Sequence, residues 1–177
     1  MDSIELLLDE VSEQFIMAEW DALLAAGLPS RASHRSPHNR PHITLVAAPT
    51  ITGDRDQQTG AVLDLPLSFT CGGLLLFNAG RKGYVLARQV VCTAELLQLH
   101  RSVHDVGAVA GAAPTSLPGG WIPHITLANA VRGEQLAAAL DVVGEPMPAG
   151  GLMGARRWDS TAKTITPLSG HPDVPGS

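Results

Sequence analysis

The chain has 177 residues, of which 45% are hydrophobic and 16% charged, with a formal net charge of −5. These totals describe one soluble globular domain, long enough to bury roughly 70% of the surface of its unfolded chain without covalent staples. An acidic balance and an aromatic content of 4% weigh against a broad nucleic-acid surface built on long-range attraction and stacked rings.

Residues 3–8 form a short apolar run with Glu5 inside it and read as a strand. Residues 9–26 continue with helical spacing, Val11, Phe15, Ala18, Leu23 and Leu24 being the recurrent apolar positions, and Gly27 is a natural stop. Seven acids precede the first base of the chain, Arg31. Arg31, His34, Arg35, His38 and Arg40 then crowd into a Pro- and Ser-rich loop. That loop is either a solvated basic segment or a device that draws an anion toward the next strand.

That next strand opens with Pro41-His42-Ile43-Thr44-Leu45. The same five residues return as Pro123-His124-Ile125-Thr126-Leu127, close to half a chain later. Both copies sit among β-branched and apolar residues and read as strands, with proline at the first position, where no ladder donor is needed. In a strand, residues i and i+2 share a face. His42 and Thr44 therefore project together while Ile43 and Leu45 anchor the other side, and the second copy repeats this with His124 and Thr126. Two such strands side by side surround one phosphate-sized space. One imidazole can take a proton from a nucleophile and the other protonate the departing oxygen, while the hydroxyls donate to the non-bridging oxygens.

Between the copies, residues 49–64 are polar and turn-rich. Residues 66–77 form a strand region with Gly72-Gly73 as a bulge signal, residues 78–83 a hairpin turn, and residues 84–91 the returning strand. Residues 93–110 form a helix with Leu96, Leu97, Leu99, Val103, Val106 and Val109 on or near one face. The second motif strand covers residues 121–130. A short helix at 134–143 and a hairpin from 153–158 and 161–166 complete the order. Residues 1–166 make a single domain, and 167–177 a frayed tail.

The paired His-x-Thr motif, one copy per half of a small α+β chain, resembles the 2H phosphoesterase superfamily. Within it, the sequence from the first strand to about Trp158 is similar to the bacterial 2′-5′ RNA ligase or RNA cyclic phosphodiesterase branch. The resemblance implies an α+β bilobal fold, two sheet-and-helix lobes related by a pseudo-twofold around a central cleft. It also implies phosphoesterase chemistry without a metal or other cofactor, acting on an RNA end or a small cyclic nucleotide. His42 and His124 are then the acid/base pair, with their order open, and Thr44 and Thr126 hold the phosphate oxygens. The two rivals are a module that binds a nucleotide or phosphometabolite with little turnover, and a cyclic phosphodiesterase acting on a non-RNA metabolite.

Other residues carry weaker signals. Arg40 adjoins the first motif, and Tyr84 and Arg88 alternate onto one face of their strand; all three are candidate substrate-binding groups. His100 and His104 share a helix face at a zinc-compatible spacing but have no third ligand near them in sequence, so no metal is expected. Trp20, Trp121 and Trp158 read as core, and His34, His38 and His171 have no spacing that suggests chemistry. Cys71 and Cys92 form no CxxC and read as reduced core thiols. With no signal segment or membrane span, a monomer in the cytoplasm is the expectation.

Overall fold

The structure, a computed structural model, describes residues 1–107 and 110–169. Its centre is the run Asp2–Leu8, the strand β1, which is buried along its whole length. Such burial needs a neighbour on each side. β2 (His42–Ala48) pairs along one edge and β7 (Gly150–Asp159) along the other, both antiparallel. β3 (Leu67–Phe69) and β8 (Thr164–Ser169) both pair with β7 and complete a five-stranded sheet. A second, three-stranded antiparallel sheet runs β4 (Cys71–Asn78), β5 (Tyr84–Val90), β6 (His124–Val131). Among the described residues the fold is α+β with two sheets, and the α+β class is the one expected from the sequence.

The two motif strands repeat one burial pattern. Ile43, Leu45 and Val46 in β2 and Ile125, Leu127 and Ala128 in β6 are fully buried, while the intervening His and Thr side chains are partly exposed. Each motif strand is the edge of its sheet, β2 beside β1 and β6 beside β5, and the two edges approach each other.

Among the described residues, four α-helices pack on this frame. α1 (Glu10–Ala25) starts where the Asp9 carboxylate accepts the Ser12 backbone N–H at 2.7 Å, a side-chain cap on an otherwise orphaned donor. Its buried stripe is Ser12, Ile16, Glu19, Trp20 and Leu23. This differs from the stripe expected from sequence, since Val11 and Leu24 are exposed. Ile16, Trp20 and Leu23 obey the i, i+4, i+7 rule, and the bulky Trp20 sets the face. α2 (Asp56–Ala61) is a short helix within the segment expected to be turns. It packs so closely on β8 that a Cβ at Gly60 would lie 2.4 Å from the Leu168 carbonyl oxygen, which makes glycine obligatory there. α3 (Ala94–Gly107) is capped by the Thr93 hydroxyl and buries Leu96, Leu99, His100 and Val103, with Leu97 exposed. Val109, also expected on that stripe, lies outside the described residues. α4 (Leu136–Val142) is the short helix that follows the second motif strand in the chain.

Three further expectations are revised. The strand region 66–77 breaks at Thr70, so that Leu67–Phe69 joins the five-stranded sheet and Cys71–Asn78 the other. The bulge expected at Gly72-Gly73 does fall there, as a register shift between Cys71 and Leu74. β8 runs to Ser169, because Pro167 and Ser169 are in register with β7; the rest of the expected tail, with His171, lies outside the described residues. Cys71 is half-buried with its thiol against Met147, but Cys92 is exposed rather than in the core. Among the described residues no helix is long and apolar enough to cross a membrane.

Candidate active site

Both motif imidazoles are oriented by the same local device. His42 Nδ1 lies 2.7 Å from the Arg40 carbonyl oxygen, and His124 Nδ1 lies 2.7 Å from the Ile122 carbonyl oxygen. A carbonyl only accepts, so in each ring Nδ1 carries the hydrogen, and the neutral ring keeps its lone pair on Nε2. The residue two before each histidine thus fixes its tautomer and leaves Nε2 as the acceptor of the neutral ring.

A second mirrored pair supports the threonines. The Trp20 indole N–H donates to the Thr126 carbonyl at 3.0 Å, and the Trp121 indole N–H donates to the Thr44 carbonyl at 2.9 Å. An edge strand leaves such carbonyls without a ladder partner, and the indoles satisfy them. Trp121 is itself held by His100, whose ring stacks on it at 4.0 Å between centroids and 5° between planes. His100 Nε2–H donates to the Ser116 carbonyl at 2.9 Å, and burial pushes this imidazole down to about 4, so it is neutral.

The surroundings of the two histidines are not mirrored. Glu5 on β1 pairs with Thr44 on one side and Arg156 on the other, so all three side chains share the cleft face of the larger sheet. The Glu5 carboxylate lies 3.6 Å from His42 Nε2 and accepts bonds from Ser3 Oγ at 2.6 Å and Arg156 Nε at 2.8 Å. Burial pushes the Glu5 carboxyl up, but the charges of His42 and Arg156 and these bonds together hold it below the usual carboxylate range. His42 therefore has a counter-ion. His124 instead packs against the Phe77 ring, 4.7 Å between centroids. Burial, joined by the charge on His42, holds His124 below the ordinary histidine range despite the Ile122 carbonyl. The two imidazoles thus lie within electrostatic reach of one another, and charge on His42 disfavours charge on His124.

A cavity of about 210 Å³ opens between the motifs, lined by Trp20, Arg31, His42, Thr126 and Asn129. It takes one histidine from the first motif and one threonine from the second. Arg31, held by its bond to Asn39 Oδ1 at 2.8 Å, brings a guanidinium to this cavity. Among the described residues, no group of three or more His, Cys, Asp or Glu side chains is placed to hold a metal ion.

The model of the 2′-5′ RNA ligase superfamily matches residues 8–155, which spans both motifs and most of the chain. The chain belongs to the 2′-5′ RNA ligase superfamily. Among solved structures it is similar to Usb1 of Kluyveromyces marxianus, with a TM-score of 0.51 and 11% sequence identity over 94% of this chain and 96% of that one. At that identity the likeness is one of fold. No curated protein matches the chain.

Of the further groups expected at the site of this superfamily member, the structure brings none into the cavity between the motifs. Arg40 is tied to α1, its Nε and Nη2 donating to the two Glu13 carboxylate oxygens at 2.8 and 2.5 Å, and its backbone carbonyl serves His42. Arg88 is buried, with its guanidinium bonded to both Glu19 oxygens and to the Val143 and Glu145 carbonyls. The cause is register. The cross-strand partner of His124 is Gln89, so Arg88, one residue earlier, points to the opposite, core side. Tyr84 pairs with Val131, at the end of β6 remote from His124.

Sequence reading missed Glu5, Trp20, Trp121 and Arg156 as candidate site residues and offered Arg31 only as part of a basic loop that could draw in an anion. For Glu5 a signal exists, since a lone carboxylate in the run Ile4-Glu5-Leu6-Leu7-Leu8 needs a buried partner. The tryptophans give no such signal, because an indole on a helix face, as at Trp20, or at the start of a motif strand, as at Trp121, reads as core whether or not its N–H is used.

Proposed function

We propose that the chain is a metal-independent phosphoesterase acting on a 2′,3′-cyclic phosphate, or on a 2′-5′ phosphodiester, in an RNA end or small nucleotide. The observation that carries this reading is the mirrored pair of His-x-Thr faces, with both Nδ1 atoms committed to carbonyls and both Nε2 atoms left for proton transfer.

The asymmetry around the rings supports one order of roles. His124, whose charged form is disfavoured by burial, is the general base that takes a proton from the attacking water. His42, with the Glu5 carboxylate beside it, is the general acid that protonates the leaving oxygen. Thr44 and Thr126 donate to the non-bridging oxygens as charge builds on phosphorus, and the Arg31 guanidinium offsets that charge. The P–O bond to the leaving oxygen breaks as the bond to water oxygen forms, giving a phosphomonoester. With a 5′-hydroxyl in place of water, the same steps join two ends.

The test is turnover of 2′,3′-cyclic nucleotides by the wild type and by His42→Ala and His124→Ala. Each substitution is expected to lower kcat by about 10²–10⁴. Near-full activity in both variants, or tight stoichiometric binding of cyclic nucleotide with no product, would sink the proposal.

A further inference from the structure

A second recess adjoins the first, on the other side of His42. It measures about 100 Å³ and is lined by Glu5, Arg31, His34, Ser36, His38, Asn39, His42, Arg156 and Trp158. Its floor is the Glu5–Arg156 row of the larger sheet, and its roof is the basic loop that precedes the first motif. His38 closes the outer end against the Trp158 ring, 5.9 Å between centroids.

The decisive atom is Arg156 Nη1. Arg156 is almost wholly buried, being 3% exposed. Its Nε donates to Glu5 Oε2 at 2.8 Å and its Nη2 to the His38 carbonyl at 3.0 Å. Nη1 is buried and has no hydrogen-bond partner among the described residues. A buried guanidinium N–H left unpaired is costly, and more so in a charged group. Arg156 lines the recess, so an oxyanion seated there is a candidate partner for that N–H. Arg31 lines both recesses and so bridges them. Two guanidinium charges against the single Glu5 carboxylate leave the recess net positive before any histidine is counted. About 100 Å³ is well above the ~30 Å³ share of one water and suits one tetrahedral oxyanion.

We propose that this recess is a subsite for a second phosphoryl group of the substrate, held by Arg156 Nη1 and Arg31 one ribose away from the reacting phosphate. It rests on the proposed phosphoesterase reading and narrows the substrate to nucleotides that carry a second phosphate. The group is either a terminal 5′-phosphate or the diester joining the last two nucleotides of an RNA. The basic loop then has a local task, since its folded form carries His34 and His38 to the wall of this recess.

The experiment is equilibrium titration with adenosine 3′-phosphate, adenosine 3′,5′-bisphosphate and the dinucleotide ApAp. The proteins are wild type, Arg156→Lys and Ser36→Asp. Arg156→Lys keeps a cation beside Glu5 but lacks Nη1. Ser36→Asp, on the outer loop, keeps an acceptor for the His38 backbone N–H and adds a negative charge to the wall. In the wild type the second phosphoryl group is expected to tighten binding about tenfold or more. That gain should fall toward unity in both variants. Preference for the bisphosphate points to a terminal phosphate, and preference for ApAp to the diester. Equal affinity for one- and two-phosphate ligands, a gain unchanged in both variants, or no binding of either two-phosphate ligand overturns the subsite. Turnover of a plain cyclic mononucleotide without any such gain leaves the phosphoesterase reading standing and removes only the subsite. An Arg156-dependent gain in binding with no turnover of any cyclic phosphate does the reverse.

Discussion

The indole of Trp20, on α1, donates its N–H to the main-chain carbonyl of Thr126 across 3.0 Å, tying a helix at the start of the chain to the second motif strand. Trp121 does the same for Thr44. Each bond fixes the backbone of a threonine whose hydroxyl is proposed to face phosphate. Replacing either indole by phenylalanine keeps much of the ring but leaves a carbonyl without its donor, at about 1–3 kcal/mol. Denaturant unfolding should register that loss. Trp20→Phe and Trp121→Phe should also lower kcat more than they raise KM, because a shifted threonine matters most when charge develops on phosphorus.

The pH profile of kcat/KM tests the assigned roles of the two histidines. The base must be unprotonated, and burial holds His124 below the ordinary histidine range. The acid limb is therefore expected below about pH 6.5, with activity lost as pH falls through the folded-state value of His124. Glu5→Gln removes the carboxylate 3.6 Å from His42 Nε2. It should lower kcat while leaving the acid limb, set by His124, in place. If Glu5→Gln moved the acid limb, the roles would have to be exchanged.

Stability should also carry a histidine signature. His100 is pushed down to about 4 by burial, foremost, with His104 adding to this and the Ser116 carbonyl opposing it. Its folded value lies below its unfolded value, so the unfolded chain binds the extra proton. The contribution is therefore full above about pH 6.5 and is lost as pH falls toward about 4. Its size is roughly 2–3 kcal/mol at neutral pH relative to acid. Thermal unfolding of wild type and His100→Gln between about pH 7 and pH 4.5 should show a steeper loss in the wild type. Parallel curves would mean that His100 does not titrate as a buried neutral ring.

Arg88 is expected to matter for folding rather than for substrate. Arg88→Met leaves the Glu19 carboxylate buried without its partner and should cost about 3–5 kcal/mol in unfolding experiments. Adding Glu19→Leu should recover much of that loss. KM for a cyclic nucleotide should be little changed in the double variant, whereas a large rise would return Arg88 to the site.

Much of the site is legible in the sequence because its signal is local. The alternation in His42-Ile43-Thr44-Leu45 decides which side chains face out and which are buried, and the structure obeys it in both copies. Arg88 shows where such reasoning stops. Alternation puts Tyr84 and Arg88 on one face of a regular strand, but which face meets His124 depends on the pairing of β5 with β6. A shift of one residue reverses the answer, and Gln89, not Arg88, stands opposite His124.

By itself the sequence determined the period-two strands, the helices, the duplicated motif and hence the superfamily, because these are written in spacings of a few residues. Tertiary structure alone decided that two edge strands from different sheets meet, that Glu5 becomes the neighbour of His42 and not of His124, and that Arg156 is left with one nitrogen unpaired among the described residues. Those outcomes come from sheet order, register and the burial of charge, which are fixed by packing between segments remote in the chain rather than by any pattern within one of them.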